Sequence, residues 1–310
     1  MSDHEYTFHV LDPDVHYVEQ AFEVFAYPMG DITVRRKPDA EPVDGTAQVM
    51  AVHRSAVDWT LVAEWAVLSE KISPAARRVL VLPYLPSARG DKDTPSPAVI
   101  NATLAAGTGI TDMITIDPHS PVWLTALRAA NPNIAVHELP LPGIVAHALT
   151  ADSSVRHRGV ISPDKGAVHR AGDVAALLGL PLYVANKNRD PKTGHLTNYS
   201  FDADLEPGAY LVVDDIFDGG GTFALLTGAV PDTVTLDLWV THGGFTKPNF
   251  SADARAPYRG IYTTNSLWSA VAAGLQDSHI QVTDLRPWIV EAATNLAQQH
   301  TRLAPAAQKR

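Results

Sequence analysis

Short aliphatic runs without polar alternation constrain this chain more than any other feature. The segments Arg78-Val-Leu-Val-Leu-Pro83, Met113-Ile-Thr-Ile-Asp117, Gly159-Val-Ile-Ser162, Leu182-Tyr-Val-Ala185 and Tyr210-Leu-Val-Val213 read as strands buried on both faces. Between them lie Ala/Leu-rich helical runs with recognisable starts. Ser96 followed by Pro97 predicts a helix over 98–106 that ends near Gly107. Asp58 precedes another over 59–68, whose Leu61, Trp65 and Leu68 share one face. A strand-like run at 280–283 leads into a last helix over 288–299, and the tail 304–310 is expected to fray. Strand and helix in alternation imply an α/β class, with mainly parallel sheets flanked by helices.

With 310 residues the chain is long enough for two such domains, at about 150 residues each. Leu139-Pro140-Leu141-Pro142-Gly143 is the expected seam, because two prolines and a glycine interrupt both patterns. The expected domains are therefore 1–143 and 144–310, with the last helix a candidate to pack back on the first. Lys+Arg number 24 against Asp+Glu 34, a net charge of −10, which argues against general affinity for nucleic acid or anionic membrane. The absence of cysteine excludes a disulfide framework, a thiolate metal site and a cysteine nucleophile, and is compatible with a cytoplasmic protein. No long apolar run and no signal-peptide pattern at Met1-Ser2-Asp3-His4-Glu5 point to a membrane.

Several strand-like runs end near aspartates: Asp117, Asp164 and the pair Asp214-Asp215. Ligands of open parallel sheets gather beyond the carboxyl ends of the strands, so this placement points to a site. The most informative stretch is Leu211-Val-Val-Asp-Asp-Ile-Phe-Asp-Gly-Gly-Gly-Thr222. A buried strand delivers two adjacent carboxylates, and a turn of Gly219, Gly220 and Gly221 then closes on Thr222 as helical residues begin. Glycines let successive N–H groups turn toward one point, which suits a phosphate. The carboxylates can accept from vicinal hydroxyls or hold Mg²⁺. Neither a Walker loop nor a Gly-x-Gly-x-x-Gly fingerprint is present.

This stretch resembles the phosphoribosyl-diphosphate binding loop of the type I phosphoribosyltransferase fold, and further motifs in register narrow the resemblance to the ribose-phosphate diphosphokinases. They are Pro83-Tyr-Leu-Pro-Ser-Ala-Arg-Gly-Asp-Lys92, Asp117-Pro-His119, Ser162-Pro-Asp-Lys-Gly166, Lys187-Asn-Arg189, Thr241-His-Gly-Gly-Phe245 and Thr263-Thr-Asn-Ser-Leu267. The resemblance runs from about Tyr27 to the C-terminus and implies two phosphoribosyltransferase-like domains with the active site between them, the first on the ATP side and the second on the ribose-phosphate side. It also implies Mg²⁺-dependent transfer of diphosphate from ATP to the 1-hydroxyl of ribose 5-phosphate. In that reading Lys187 and Arg189 are catalytic, with a polar lid over 190–195. Asp214 and Asp215 hold the ribose hydroxyls, and Asp218 to Thr222 cradle the 5-phosphate. Arg89, Tyr27, Asp31 and His119 contact ATP, and His119, Asp164, Asp214 and Asp215 serve the metal. Homo-oligomers built from dimers, commonly hexamers, are implied as well. His242 is read as structural.

Departures from the family pattern cluster on substrate contacts. Met29 stands in place of a polar adenine-segment residue, Gly90 in place of glutamine, and Gly219 in place of a threonine that would donate to the 5-phosphate. Ser120-Pro-Val-Trp-Leu124 replaces the family's continuation after His119. A phosphodiester carries one charge fewer than a monoester, so the missing hydroxyl donor at position 219 keeps ADP-ribose open as the acceptor, in NAD salvage. A non-catalytic regulatory homologue and a phosphoribosyltransferase are the remaining readings.

Overall fold

The computed structural model describes residues 5–12, 14, 16–150, 155–189, 196–201, 203–246 and 258–303, with side chains described at these positions except 187–189, 196–198 and 299–303. The chain divides into two compact units, residues 1–139 with 285–310 and residues 140–284.

In the first unit a six-stranded sheet runs in the order β2 (Tyr17–Glu19), β1 (Tyr6–Leu11), β5 (Ala47–Val52), β6 (Arg77–Val81), β7 (Asp112–Thr115), β8 (Ala135–Glu138). β5 to β8 are parallel, and β1 is antiparallel to both its neighbours. β3 (Phe22–Ala26) and β4 (Ile32–Arg36) form a separate hairpin. It is tied to α1 (Trp59–Ile72) by Glu64, which accepts from Thr33 Oγ1 at 2.9 Å and from the Val34 amide at 2.8 Å. Every residue of β5 is buried, as expected of a strand covered on both faces. Asp58 caps α1 by accepting from the Thr60 and Leu61 amides. Ser96 caps α2 (Pro97–Ala106), with Pro97 in its first turn and Gly107 at its end. α3 (Val122–Ala130) sets Trp123, Leu124 and Leu127 into a core shared with Leu61, Trp65, Leu80 and Met113.

The second unit opens with α4 (Leu141–Leu149), which starts inside the 139–143 stretch. Pro140 takes the cap position and Pro142 the first turn, where a missing N–H costs nothing. Its seven-stranded sheet runs β11 (Leu196–Phe201), β10 (Leu182–Arg189), β9 (His157–Ser162), β12 (Gly208–Phe217), β13 (Val234–Gly243), β14 (Tyr258–Thr264), β15 (Ile280–Thr283). All pairs are parallel except β10 with β11. α5 (Val168–Leu178), α6 (Gly221–Thr227) and α7 (Trp268–Gln276) belong to this unit, and α8 (Arg286–Leu303) to the first. Both units therefore show the α/β plan read from the aliphatic runs. Two strands outrun those runs: β12 because β13 pairs with it as far as Phe217↔Gly243, and β10 because β11 pairs with it as far as Arg189↔Leu196. Among the described residues no helix is long and apolar enough to cross a membrane.

Candidate functional site

β12 pairs with β9 only as far as Val212, so its last residues leave that neighbour while staying bonded to β13. Asp214 and Asp215 occupy this stretch, within the strand rather than past its end. The Asp215 amide donates to Asp214 Oδ1 at 2.9 Å. Arg170, in the first turn of α5, approaches both acids: its Nη1 lies 3.7 Å from Asp214 Oδ1 and its Nη2 lies 3.3 Å from Asp215 Oδ2. Burial, and then the Asp215 charge beside it, push the Asp214 carboxyl well above the usual carboxylate range against the pull of Arg170. Two carboxylates beside one guanidinium, one of them resisting ionisation for want of compensating charge, offer oxygen donors that suit a hard divalent ion. Arg170 was not among the residues read from the sequence. A basic residue in the first turn of a helix opposes the helix dipole, and that is the signal that marks it.

The strand hands over to a braced turn. The amides of Gly244 and Phe245 donate to the Phe217 carbonyl at 2.8 and 3.2 Å, and Thr246 Oγ1 donates to Asp218 Oδ1 at 2.5 Å. A Cβ on Gly244 would stand 3.0 Å from the Phe217 oxygen, and one on Gly243 would meet the Phe245 ring at 2.3 Å. That close approach accounts for the two glycines of the 241–245 motif. Phe217 stacks on Phe223 at 5.1 Å and packs against Phe245 at 5.0 Å, an aromatic floor below the turn. Gly220 takes φ +77° and ends the turn as α6 begins with Gly221 and Thr222, so this glycine is required by conformation. Gly219 offers no hydroxyl. His242 is buried and bonded through Nδ1 to Ser266 Oγ at 2.9 Å, a structural contact.

Asp164 lies two residues past β9, and its Oδ1 accepts from the Gly166 and Ala167 amides at 2.8 and 3.1 Å, capping the approach to α5. Lys187 and Arg189 lie two positions apart on β10, opposite Tyr199 and Leu196, where the strand continues past the 182–185 run read from the sequence. Their side chains, and the whole of 190–195 expected to form a lid, lie outside the described residues.

In the first unit, Arg89 is exposed on a single 3₁₀ turn, Ala88–Gly90, that follows Ser87 at φ +57°. This loop is held from several directions. Thr115 Oγ1 donates to the Pro83 carbonyl at 3.2 Å, Trp123 Nε1 to the Pro86 carbonyl at 3.2 Å, and Ser96 Oγ to the Gly90 carbonyl at 2.9 Å. A Cβ on Gly90 would stand 2.4 Å from Pro97 Cγ, so this loop packs on α2 only with glycine there. His119 is half-buried and follows Asp117, which is held at φ +45° just past β7. Among the described residues, three of the four non-glycine residues at positive φ sit beyond the carboxyl ends of β6, β7 and β13, at Ser87, Asp117 and Phe245; the fourth, Asp39, follows β4. Tyr27 and Asp31 close the β3–β4 hairpin through the Tyr27 amide to the Asp31 carbonyl at 2.7 Å. Both side chains are exposed, and Met29 at the tip is 94% exposed. Among the described residues no group of three or more His, Cys, Asp or Glu side chains could hold a metal ion. Asp214 and Asp215 are the proposed metal-site residues that adjacency brings together.

No profile of a known protein family matches the chain. It is 29% identical over 209 residues to ribose-phosphate pyrophosphokinase 1 of Listeria monocytogenes, covering 64% of this chain and 62% of that one. It is 27% identical over 237 residues to the ribose-phosphate pyrophosphokinase of Granulibacter bethesdensis, covering 73% of each. Over 307 residues it is 24% identical to that of Agrobacterium fabrum, covering 92% and 95%. The match thus spans less than two thirds of the Listeria protein. Among solved structures, phosphoribosylpyrophosphate synthetase from Mycobacterium smegmatis shares the fold, with a TM-score of 0.69, 20% identity and 92% of each chain covered.

Proposed function

We propose that this chain, a divergent relative of the ribose-phosphate pyrophosphokinases, transfers the β,γ-diphosphate of ATP to the 1-hydroxyl of ribose 5-phosphate, giving phosphoribosyl diphosphate and AMP. The observation that carries this reading is the carboxylate pair Asp214–Asp215, delivered by β12 into a glycine turn that is braced from below. The pair accepts hydrogen bonds from the vicinal ribose hydroxyls, and residues 218–222 cradle the 5-phosphate through backbone amides and the Thr222 hydroxyl. Lys187 and Arg189 meet the charge that develops on the transferred diphosphate, where positioning and neutralisation supply most of the rate. Arg89, His119, Tyr27 and Asp31 are assigned to ATP, with Arg89 presented on a loop held at Pro83, Pro86 and Gly90. Mg²⁺, held by Asp214 and Asp215 with His119 and Asp164 as further proposed ligands, would neutralise phosphate charge when bound. A homo-oligomer built from dimers is part of the proposal, with light scattering as its check.

The test supplies ATP, Mg²⁺ and ribose 5-phosphate and measures AMP. Turnover that requires all three supports the reading; no AMP above background with ribose 5-phosphate or ADP-ribose overturns it in favour of a regulatory, non-catalytic homologue. Gly219 favours ADP-ribose as a second acceptor, because a phosphodiester needs fewer donors than a monoester. Mass spectrometry of product from an equimolar mixture of the two acceptors decides between them.

A further inference from the structure

Arg170 stands in the first turn of α5, where a cation opposes the helix dipole, and its side chain is 11% exposed. Burying a guanidinium there costs both dipole and desolvation energy. The two aspartates offset that cost, one nitrogen facing each. Adjacent strand residues direct their side chains to opposite faces, so Asp214 and Asp215 would ordinarily diverge. Here the Asp215 amide draws Asp214 Oδ1 forward along the strand, and a single guanidinium approaches both carboxylates. The fork donates a hydrogen bond to Asp215 Oδ2 at 3.3 Å and stands at ion-pair distance, 3.7 Å, from Asp214 Oδ1, so one planar group spans both acids in a way that an ammonium, a single point of charge, cannot.

We infer that Arg170 is a positioning residue of this site: its fork sets the spacing of Asp214 and Asp215 for a vicinal diol, and its charge sets how strongly the pair draws a divalent cation. The inference rests on the proposed reading of the pair as the hydroxyl- and cation-binding element. It ascribes two separable effects to one side chain.

Two variants of the full chain separate them. Arg170→Met removes charge and fork together. The Mg²⁺ concentration giving half-maximal stabilisation in thermal melts then falls about three- to tenfold, since the pair loses its competing cation. The KM for the acceptor rises about tenfold, with a smaller change in kcat. Arg170→Lys keeps the charge without the fork, so the Mg²⁺ value returns to within about twofold of the unmodified chain while the acceptor KM stays raised. The inference is overturned if Mg²⁺ does not shift the melt of the unmodified chain, if the Mg²⁺ value of Arg170→Met is unchanged or raised, or if lysine restores the acceptor KM. The melt needs no turnover. A chain that releases no AMP therefore removes the proposed function, while the Mg²⁺ dependence still tests the charge of Arg170.

Discussion

His9 illustrates how a single residue ties stability to pH. Its ring stacks on Tyr17 at 4.5 Å in the antiparallel part of the first sheet. Burial first, then the charges of Arg286 and His53, lower its pKa from 6.5 to about 4, with Glu19 opposing. The folded state thus binds this proton less readily than the unfolded chain does, so stability is complete above pH 6.5 and is lost progressively as pH falls toward 4. Thermal melts should show that loss, and His9→Gln should flatten the curve in that window. An unchanged slope in the variant removes His9 as the cause. Legibility at this scale was uneven. Asp214, Asp215 and the glycines announced themselves by adjacency, whereas Arg170 lies 44 positions before Asp214 in the chain and is joined to it only when α5 packs beside β12.

At the scale of elements, each sheet carries a buried acid toward the amino ends of its strands, away from the site-bearing ends. In the first unit Asp112 opens β7 and is gripped by Arg77 from the start of β6, whose Nε donates at 2.6 Å, and by Thr111 Oγ1, also at 2.6 Å. In the second, Asp237 on β13 is met by His157 Nε2 at 2.7 Å and Arg259 Nη2 at 2.5 Å, from the starts of β9 and β14. Both acids have fully buried side chains, so removing either takes the counter-charge away from Arg77 or Arg259. Asp237→Ala is expected to lower the stability of its unit by about 3–5 kcal/mol in a urea melt. A loss below about 1 kcal/mol would show that the cluster is not structural. The helix starts were legible because Asp58, Ser96 and Pro97 act on their own neighbours. The β1–β2 and β3–β4 pairings were not, since β2, β3 and β4 are short, mostly only partly buried, and the β3–β4 hairpin depends on partners such as Glu64.

On the scale of the whole molecule, each unit has its own hydrophobic core. The second is built from one continuous stretch, whereas the first needs two. A fragment spanning 140–284 should therefore fold alone and melt cooperatively by circular dichroism, while 1–139 without 285–310 should melt lower or not at all. A non-cooperative melt of the first fragment would refute the independence of the second unit. The net charge of −10 keeps its meaning as an argument against bulk affinity for polyanions, but local geometry gives the Asp pair a cationic neighbour regardless of the total. By itself the sequence determined the α/β class, the helix caps, and the strand that carries two acids and leads into three glycines. Each of these rests on residues within a few positions of one another, where backbone sterics, local hydrogen bonds and burial periodicity act. Only the tertiary structure decided that Arg170 serves both acids, that Trp123 holds the loop bearing Arg89, and that Gly243 and Gly244 let Phe245 close under the turn. Those contacts join residues far apart in the chain, and they exist only once the sheets have set the register that brings them together.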